Sequence, residues 1–182
     1  MNRPTSTARH PRHDIPAGRR PTPQRPGPGQ ESVWDYPRPP RVEASAESIV
    51  VWLGGVLVAA STRSLRVLET SHPPTYYLSG DDFAPGTLHA TEGSSWCEFK
   101  GQAAYYDVVG ADAVALRAAW TYPRPSHGFE VLVGHVAVMP AAMDRCTVDG
   151  EVVVPQDGGF YGGWITSRVV GPFKGAPGTW GW

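Results

Sequence analysis

The sequence predicts a mainly β fold, either a small compact barrel or two packed antiparallel sheets with long Pro/Gly-rich loops and one or two short helices. Three observations point to it: short β-rich runs recur along the chain, turn residues separate them, and no long stretch has clean helical periodicity. The 182 residues include 21 glycines and 19 prolines, which suit connections better than long helices. This length fits one domain of roughly 100–200 residues.

Residues 1–30 are predicted to form a disordered Pro/Arg-rich tail. They hold six arginines and seven prolines but almost no large apolar side chain, too little to offset the entropy of ordering. A weak arginine arm for RNA or an anionic membrane is the alternative. We expect a single β-rich domain at residues 31–182. Because its acidic residues outnumber its basic ones, duplex nucleic acid is not an expected partner.

Neither a membrane span nor a secretory leader is expected. The longest apolar run, residues 49–60, is shorter than the about twenty residues that a span needs, and Gly54-Gly55 interrupts it. Cys97 and Cys146 are expected to be reduced thiols in a cytoplasmic protein.

Glycine-containing turns predict two β-hairpins. Residues 48–53 and 56–61 flank Gly54-Gly55, and residues 145–148 and 151–154 flank Asp149-Gly150. Further strands are expected at residues 95–109, as one long strand or one bent at Gly101, at 114–120, and at 135–139 before Pro140. Short helical turns are expected at Asp81-Asp82 and at residues 129–133.

Two short motifs each occur twice, in the same order. Trp-x-Tyr-Pro-Arg-Pro spans residues 34–39 and 120–125, and Phe-Lys-Gly contains the only two lysines, Lys100 and Lys174. Two diverged halves would explain this order, and repeated use of a convenient turn is the alternative. Lysine is a compact charge that can lose its proton when desolvated. We therefore expect at least one lysine in or at the rim of the largest pocket, and two unrelated surface lysines are the alternative.

Residues 66–77 concentrate polar side chains on a backbone that prolines stiffen. His72 could act as a general base near Ser71 or Tyr76, or these groups could simply satisfy one another. The candidate binding residues of this segment are Arg66, Glu69, Ser71, His72, Tyr76 and Tyr77.

Strand alternation in residues 95–105 predicts a core face and a ligand face. The core face would hold Cys97, Phe99, Ala103 and Tyr105, and the other face Trp96, Glu98, Lys100 and Gln102. Lys100 would bind an anionic group that Glu98 helps to orient, whereas an exposed ion pair is the alternative.

Aromatic residues between glycine pairs at 158–159 and 162–163 offer a stacking surface for a planar ligand, or a plug for the end of a barrel. The aromatic candidates outside residues 66–77 are Trp96, Trp120, Tyr122, Phe160, Tyr161 and Trp164.

Four segments resemble the family known as domain of unknown function 427. They are Glu-Thr-Ser-His-Pro-Pro-Thr-Tyr-Tyr at residues 69–77, Ser-Trp-Cys-Glu-Phe-Lys-Gly at 95–101, Ala-Trp-Thr-Tyr-Pro at 119–123 and Gly-Gly-Phe-Tyr-Gly-Gly-Trp at 158–164. The resemblance extends over nearly all of residues 33–179. It implies a compact β-rich domain, mostly bacterial and fungal, with no settled biochemical role. A nucleotidyltransferase label attached to the family lacks support here, because nucleotidyl transfer typically needs paired acids that hold metal ions.

The leading interpretation is a domain that binds a small planar or anionic molecule in an aromatic-lined pocket, with or without catalysis. No cofactor or metal site is expected, because Cys-x-x-Cys and His-x-x-x-His spacings are missing. One alternative is a protein-interaction module that uses exposed Trp-x-Tyr-Pro-Arg-Pro segments, and a second is a nucleotidyltransferase. If the protein is an enzyme, its candidate catalytic residues are Glu69, His72, Tyr76, Glu98 and Lys100.

Overall fold

A computed structural model describes residues 21–179 and 181–182, so residues 1–20 of the predicted tail lie outside the described residues. The mainly β class is confirmed. The strands are β1 (Glu31–Ser32), β2 (Arg41–Ser45), β3 (Ile49–Leu53), β4 (Val56–Ser61), β5 (Ser64–Leu68), β6 (Thr75–Ser79), β7 (Leu88–Cys97), β8 (Gly101–Val109), β9 (Val114–Pro125), β10 (His135–Val138), β11 (Arg145–Val148), β12 (Glu151–Val152), β13 (Val154–Pro155), β14 (Trp164–Ile165) and β15 (Val169–Val170).

Two antiparallel sheets dominate the fold. The larger has seven strands in the order β2-β5-β6-β10-β9-β8-β7, and the smaller has four in the order β12-β11-β3-β4. Within the described part of the chain neither sheet closes on itself, so the alternative of two packed sheets is confirmed and the barrel is not formed. Pairs β1–β15, which is parallel, and β13–β14 complete the pairing.

Alternation along the central strands gives the large sheet two different faces. Leu78 and Val136 point into the main core, which also holds Ile49 and Val148 of the small sheet. The intervening Ala137 belongs to a second cluster on the opposite face. One face of the large sheet therefore packs on the small sheet, and the other carries a separate, smaller apolar cluster.

Both predicted hairpins are confirmed, although the second arm at β12 is shorter than expected. Gly54 and Gly55 have φ angles of 59° and 72°, and Asp149 and Gly150 have 48° and 83°. Two successive positive φ angles are typical of the tight turns whose twist matches antiparallel strands. The hairpins join through β3 and β11 to form the small sheet.

The single strand predicted for residues 95–109 is wrong. The chain reverses at Glu98–Lys100, so that β7 and β8 form a hairpin in which Cys97 pairs with Gly101. Gly101 begins the return strand with a φ of 92°, a conformation that favours glycine. Glu98 and Lys100 consequently lie at the end of a hairpin rather than along one face of a strand.

The remaining elements follow the predictions more closely. Strand β9 continues five residues beyond the expected end at Trp120, to Pro125. The predicted helical turns are 3-10 turns at Gly80–Asp82 and Glu130–Leu132, and a third lies at Pro140–Ala142. Within the described ranges, no helix has the length and apolarity that crossing a membrane requires.

The two Trp-x-Tyr-Pro-Arg-Pro segments occupy different structural settings. The first forms the connection before β2, where Trp34 donates from Nε1 to the carbonyl oxygen of Pro172 at 2.8 Å. The second lies within β9. Upstream of the first, Gln24 donates its backbone N–H to the Gly171 oxygen at 2.8 Å, so part of the segment before residue 31 lies alongside the domain.

Candidate functional site

A cleft of about 480 Å³ opens on the face of the large sheet that carries the second apolar cluster. Most of the predicted site residues line it. They are Glu69, His72, Tyr77, Trp96, Glu98, Lys100, Trp120, Tyr122, Phe160, Tyr161 and Lys174.

Strands β6 and β9 supply an aromatic wall. Trp120 and Tyr122 are two residues apart on β9 and therefore share a face. Trp120 donates from Nε1 to the Tyr77 hydroxyl at 3.1 Å, and the two rings meet edge to face with centroids 6.2 Å apart. Burial raises the pKa of Tyr77 and of Tyr122, so both phenols stay protonated.

Lys100 brings a cation into this aromatic surrounding. The residue is only 8% exposed, and its Nζ lies 5.8 Å from the centroid of the Tyr122 ring. Among the described residues no carboxylate or carbonyl oxygen binds this ammonium group. Because an ammonium group without an acidic partner gains free energy from an opposite charge, Lys100 marks the place where an anion would be held most favourably.

Lys174 reaches the same cleft from the other Phe-Lys-Gly tripeptide. Its Nζ donates to the carbonyl oxygen of Trp182 at 2.9 Å and lies 5.9 Å from the Tyr161 ring centroid. Desolvation by burial lowers the pKa of Lys174, with a smaller contribution from the nearby Arg38 guanidinium. Both lysines of the chain are therefore cleft residues, as the scarcity of lysine had suggested for at least one of them.

His72 lies within electrostatic range of both lysines. Its Nδ1 is 3.0 Å from Nε2 of Gln156, and its ring contacts the Tyr161 ring edge to face at 4.8 Å. Burial, together with the charges of Lys174, Arg38 and Lys100, lowers the pKa of His72 to about 3. The imidazole is therefore neutral at physiological pH, which makes it a poor source of positive charge but a possible hydrogen-bond donor.

Two carboxylates complete the charged groups of the predicted set. Glu69 pairs with Arg38 of the first Trp-x-Tyr-Pro-Arg-Pro segment at 3.2 Å. Glu98 is exposed at the β7–β8 turn and is close enough to oppose the lowering of the Lys174 pKa. With Arg117, whose guanidinium carbon lies 4.3 Å from the Tyr105 ring centroid, the cleft has three cations and these two acids.

Four predicted residues do not line the cleft. Arg66 pairs with Glu31 and Glu43 instead. Tyr76 donates its hydroxyl hydrogen to Glu47 at 2.8 Å on the side of the main core.

The other two, Ser71 and Trp164, are fully buried. Trp164 packs in the main core, and the Ser71 hydroxyl has no hydrogen-bond partner among the described residues. His72 therefore does not pair with Ser71 or Tyr76, the arrangement considered for a general base.

Several cleft residues were not among the predicted set. Cys97, Phe99 and Tyr105 had been assigned to the core, but all three are partly exposed and line the cleft. The alternation that placed them on one face was interpreted as a core pattern. Arg117 and Gln156 have no local signal, since contacts distant in sequence bring them to the site.

A glycine shapes the wall near Phe160 and Tyr161. A side chain at Gly162 would overlap the Trp120 ring, so only glycine lets this loop pack closely on the indole. The loop thereby places its two aromatic residues beside the β9 wall.

No curated protein matches the chain at a significant level. A family model described as a domain of unknown function (DUF427) matches residues 41–149, more than half of the 182 residues. The match spans β2 to β11, and it contains Glu69, His72 and Lys100 but not Gln156 or Lys174. The chain thus belongs to the DUF427 family, in agreement with the resemblance seen in its motifs.

Proposed function

We propose that the protein binds a small organic anion with a planar part in the cleft, and that Lys100 holds the negative charge. The observation that carries the proposal is that Lys100 is a buried residue whose Nζ lies against the Tyr122 ring without an acidic partner among the described residues. Lys174 adds a second positive charge to the same cleft.

The size and lining of the cleft support a small-molecule ligand. Its volume of about 480 Å³ lies within the roughly 300–1,000 Å³ that is usual for such sites. Aromatic walls with a few convergent polar groups are typical of these sites, because the apolar surface supplies binding energy and the polar groups fix orientation. Trp120 and Tyr122 supply the flat surface, and Lys100 supplies the charge.

The interaction-module alternative has less support. Tyr36 and Tyr122, the tyrosines of the two Trp-x-Tyr-Pro-Arg-Pro segments, are buried, and Trp34 and Trp120 are only partly exposed. Aromatic side chains are the usual anchors of protein interfaces, so segments that turn these inward offer mainly arginine and proline to a partner.

The nucleotidyltransferase alternative also has little support in the geometry. Asp82, in the only adjacent acid pair of the chain, binds Arg63 at 2.7 Å and lies outside the cleft. Among the described residues no three histidine, cysteine, aspartate or glutamate side chains are grouped as metal ligands would be.

The proposal is tested by isothermal titration calorimetry with benzoate and with inorganic phosphate, comparing the parent with Lys100→Met. We expect the variant to bind benzoate about tenfold or more weakly, because a charge-assisted hydrogen bond contributes roughly 1.5–3 kcal/mol. Its melting temperature should not fall, because methionine keeps an apolar chain of similar length at this buried position and removes a charge that has no acidic partner among the described residues.

Arg124→Met is the matched control, since Arg124 is an exposed cation of β9 that does not line the cleft. It should bind benzoate as the parent does. Equal affinity of the Lys100→Met variant and the parent, or no binding of either anion to the parent, would refute the proposal.

A further inference from the structure

The side-chain amide of Gln156 joins two parts of the cleft. Its Nε2 lies 2.7 Å from the carbonyl oxygen of Lys174 and 3.0 Å from Nδ1 of His72. A carbonyl oxygen only accepts hydrogen bonds, so the Gln156 atom facing it must be the nitrogen, whose two hydrogens can serve both contacts. Gln156 is buried and its backbone N–H is bound to Gly163, which holds the amide in this position.

This arrangement determines which nitrogen of His72 carries the hydrogen. Since Gln156 donates to Nδ1, Nδ1 must be the unprotonated acceptor. The charged groups around His72 also favour a neutral ring: the cations Lys174, Arg38 and Lys100 face it, Tyr161 covers it, and the two nearby acids do not bind it.

The two acids are engaged elsewhere or exposed. Glu69 is paired with Arg38, and Glu98 lies exposed at the β7–β8 turn. A neutral imidazole without a hydrogen on Nδ1 has its single hydrogen on Nε2. In the described part of the chain, no acceptor is bound to that Nε2–H.

We infer that His72 is a neutral hydrogen-bond donor to the bound anion, with Gln156 as the positioning residue that fixes the hydrogen on Nε2. The inference rests on the proposed function, and it assigns the third group that meets the anion beside Lys100 and Lys174. A neutral donor adds a directed hydrogen bond without placing a third positive charge next to two ammonium groups. It therefore increases affinity for an anion with less repulsion in the empty cleft.

The tautomer can be measured without any ligand. Long-range ¹H–¹⁵N correlation spectra of the ¹⁵N-labelled protein at pH 7 should show a His72 ring with hydrogen on Nε2 and none on Nδ1. The signal is assigned by its loss in His72→Gln. A ring with hydrogen on Nδ1, or on both nitrogens, would overturn the inference.

Binding of benzoate tests the donor role. Glutamine can place an N–H near the position of histidine Nε2–H, so His72→Gln should bind benzoate within about threefold of the parent, whereas His72→Phe should bind it about tenfold or more weakly. Because His72 stays neutral in this range, its contribution to the benzoate affinity of the parent should vary little between pH 5.5 and 8. An affinity for His72→Phe equal to that of the parent would overturn the donor role.

The outcomes separate this inference from the proposed function. If binding of benzoate depends on Lys100 but not on His72, the anion site stands and the donor role of His72 is refuted. If the parent binds neither benzoate nor phosphate, both the proposed function and this inference are refuted. Gln156→Met, which cannot donate to Nδ1, should change the His72 spectrum toward a mixture of tautomers, and an unchanged spectrum would contradict the positioning role of Gln156.

Discussion

At the scale of single residues, the two lysines of the cleft have unequal surroundings. Lys174 replaces part of its lost hydration by donating to the Trp182 carbonyl oxygen, whereas the contact found for the Lys100 ammonium within the described residues is with the face of Tyr122. A cation–aromatic contact contributes about 0.5–2 kcal/mol, less than the cost of burying an isolated charge. Lys100 is thus the group with most to gain from an anion, although the two tripeptides are the same in sequence.

His72 gives a pH prediction whose sign follows from its pKa. The folded-state pKa is about 3, below the ordinary value of about 6.5, so between these values the unfolded chain binds more protons. The free energy of unfolding should therefore fall as the pH falls from about 6.5 toward 3, by up to about 1.4 kcal/mol per pH unit from this residue.

Urea unfolding between pH 5 and 6.5 measures this slope before carboxylates such as Asp149 begin to titrate. His72→Gln should lack the His72 contribution, whereas His127→Gln should retain it because the His127 side chain is fully exposed. Equal slopes for the parent and His72→Gln would contradict the neutral, buried state of His72.

The site residues that the sequence predicts belong to a rare residue type or to an unusual local pattern. Lysine is rare in the chain and the aromatic residues lie between glycines, and both features lead to cleft residues. Gln156 has no such signal, because it is defined only by its contacts with His72 and Lys174, 84 and 18 residues away. Arg66 shares the polar segment with His72, but its pairing with Glu31 and Glu43 cannot be inferred from local sequence.

At the scale of elements, strand β6 carries two adjacent tyrosines, one beside the main core and one at the cleft. Tyr76 and Tyr77 are adjacent and therefore point to opposite faces of the large sheet. Tyr76 bonds Glu47 beside the main core, and Tyr77 accepts from Trp120 at the cleft.

Replacing each tyrosine by phenylalanine should separate the two roles. Tyr76→Phe should lower the free energy of unfolding by about 1.5–3 kcal/mol, the value for a hydrogen bond to a charged group, and leave benzoate affinity unchanged. Tyr77→Phe should lower stability and also weaken benzoate binding, because the Trp120 N–H loses the acceptor that orients the indole. Urea unfolding measures the stability of the two variants, and calorimetry measures their affinity for benzoate. Weaker benzoate binding by Tyr76→Phe alone would contradict the assignment of faces.

The elements that the sequence predicts best are the hairpins whose turn residues can be recognised from the local sequence. Gly54-Gly55 and Asp149-Gly150 supply the positive φ angles that their hairpins need. The reversal at Glu98–Lys100 was missed because its three residues are not typical turn formers and its only signal, Gly101, also suits a bent strand. That one reversal changed the positions of Glu98 and Lys100 and brought Cys97 to the cleft.

At the scale of the whole molecule, the cleft draws its walls from segments that are distant in sequence. Trp96 on β7 and Phe160 in the glycine-rich loop both line it, yet they are 74% and 69% exposed. Large aromatic side chains left in water at the edge of a cleft provide surface that a flat ligand can cover.

We therefore predict that Trp96→Ala combined with Phe160→Ala weakens binding of 2-naphthoate more than binding of inorganic phosphate. The loss for the aromatic acid should be roughly tenfold, since stacking contributes about 0.5–1.5 kcal/mol per aromatic pair. Leu116→Ala is the control, because Leu116 is 75% exposed but does not line the cleft. An equal loss for both anions would show that the two rings do not contact the planar part of the ligand.

The isolation of Lys100 has a consequence for the resting state of the protein. An ammonium that has no acidic partner among the described residues attracts whichever small anion is abundant, so chloride or buffer phosphate should compete with the proposed ligand for this position. Apparent affinities should then depend on the identity of the background anion as well as on ionic strength. In a cell, the cleft would exchange one anion for another, and its selectivity would come from the aromatic walls.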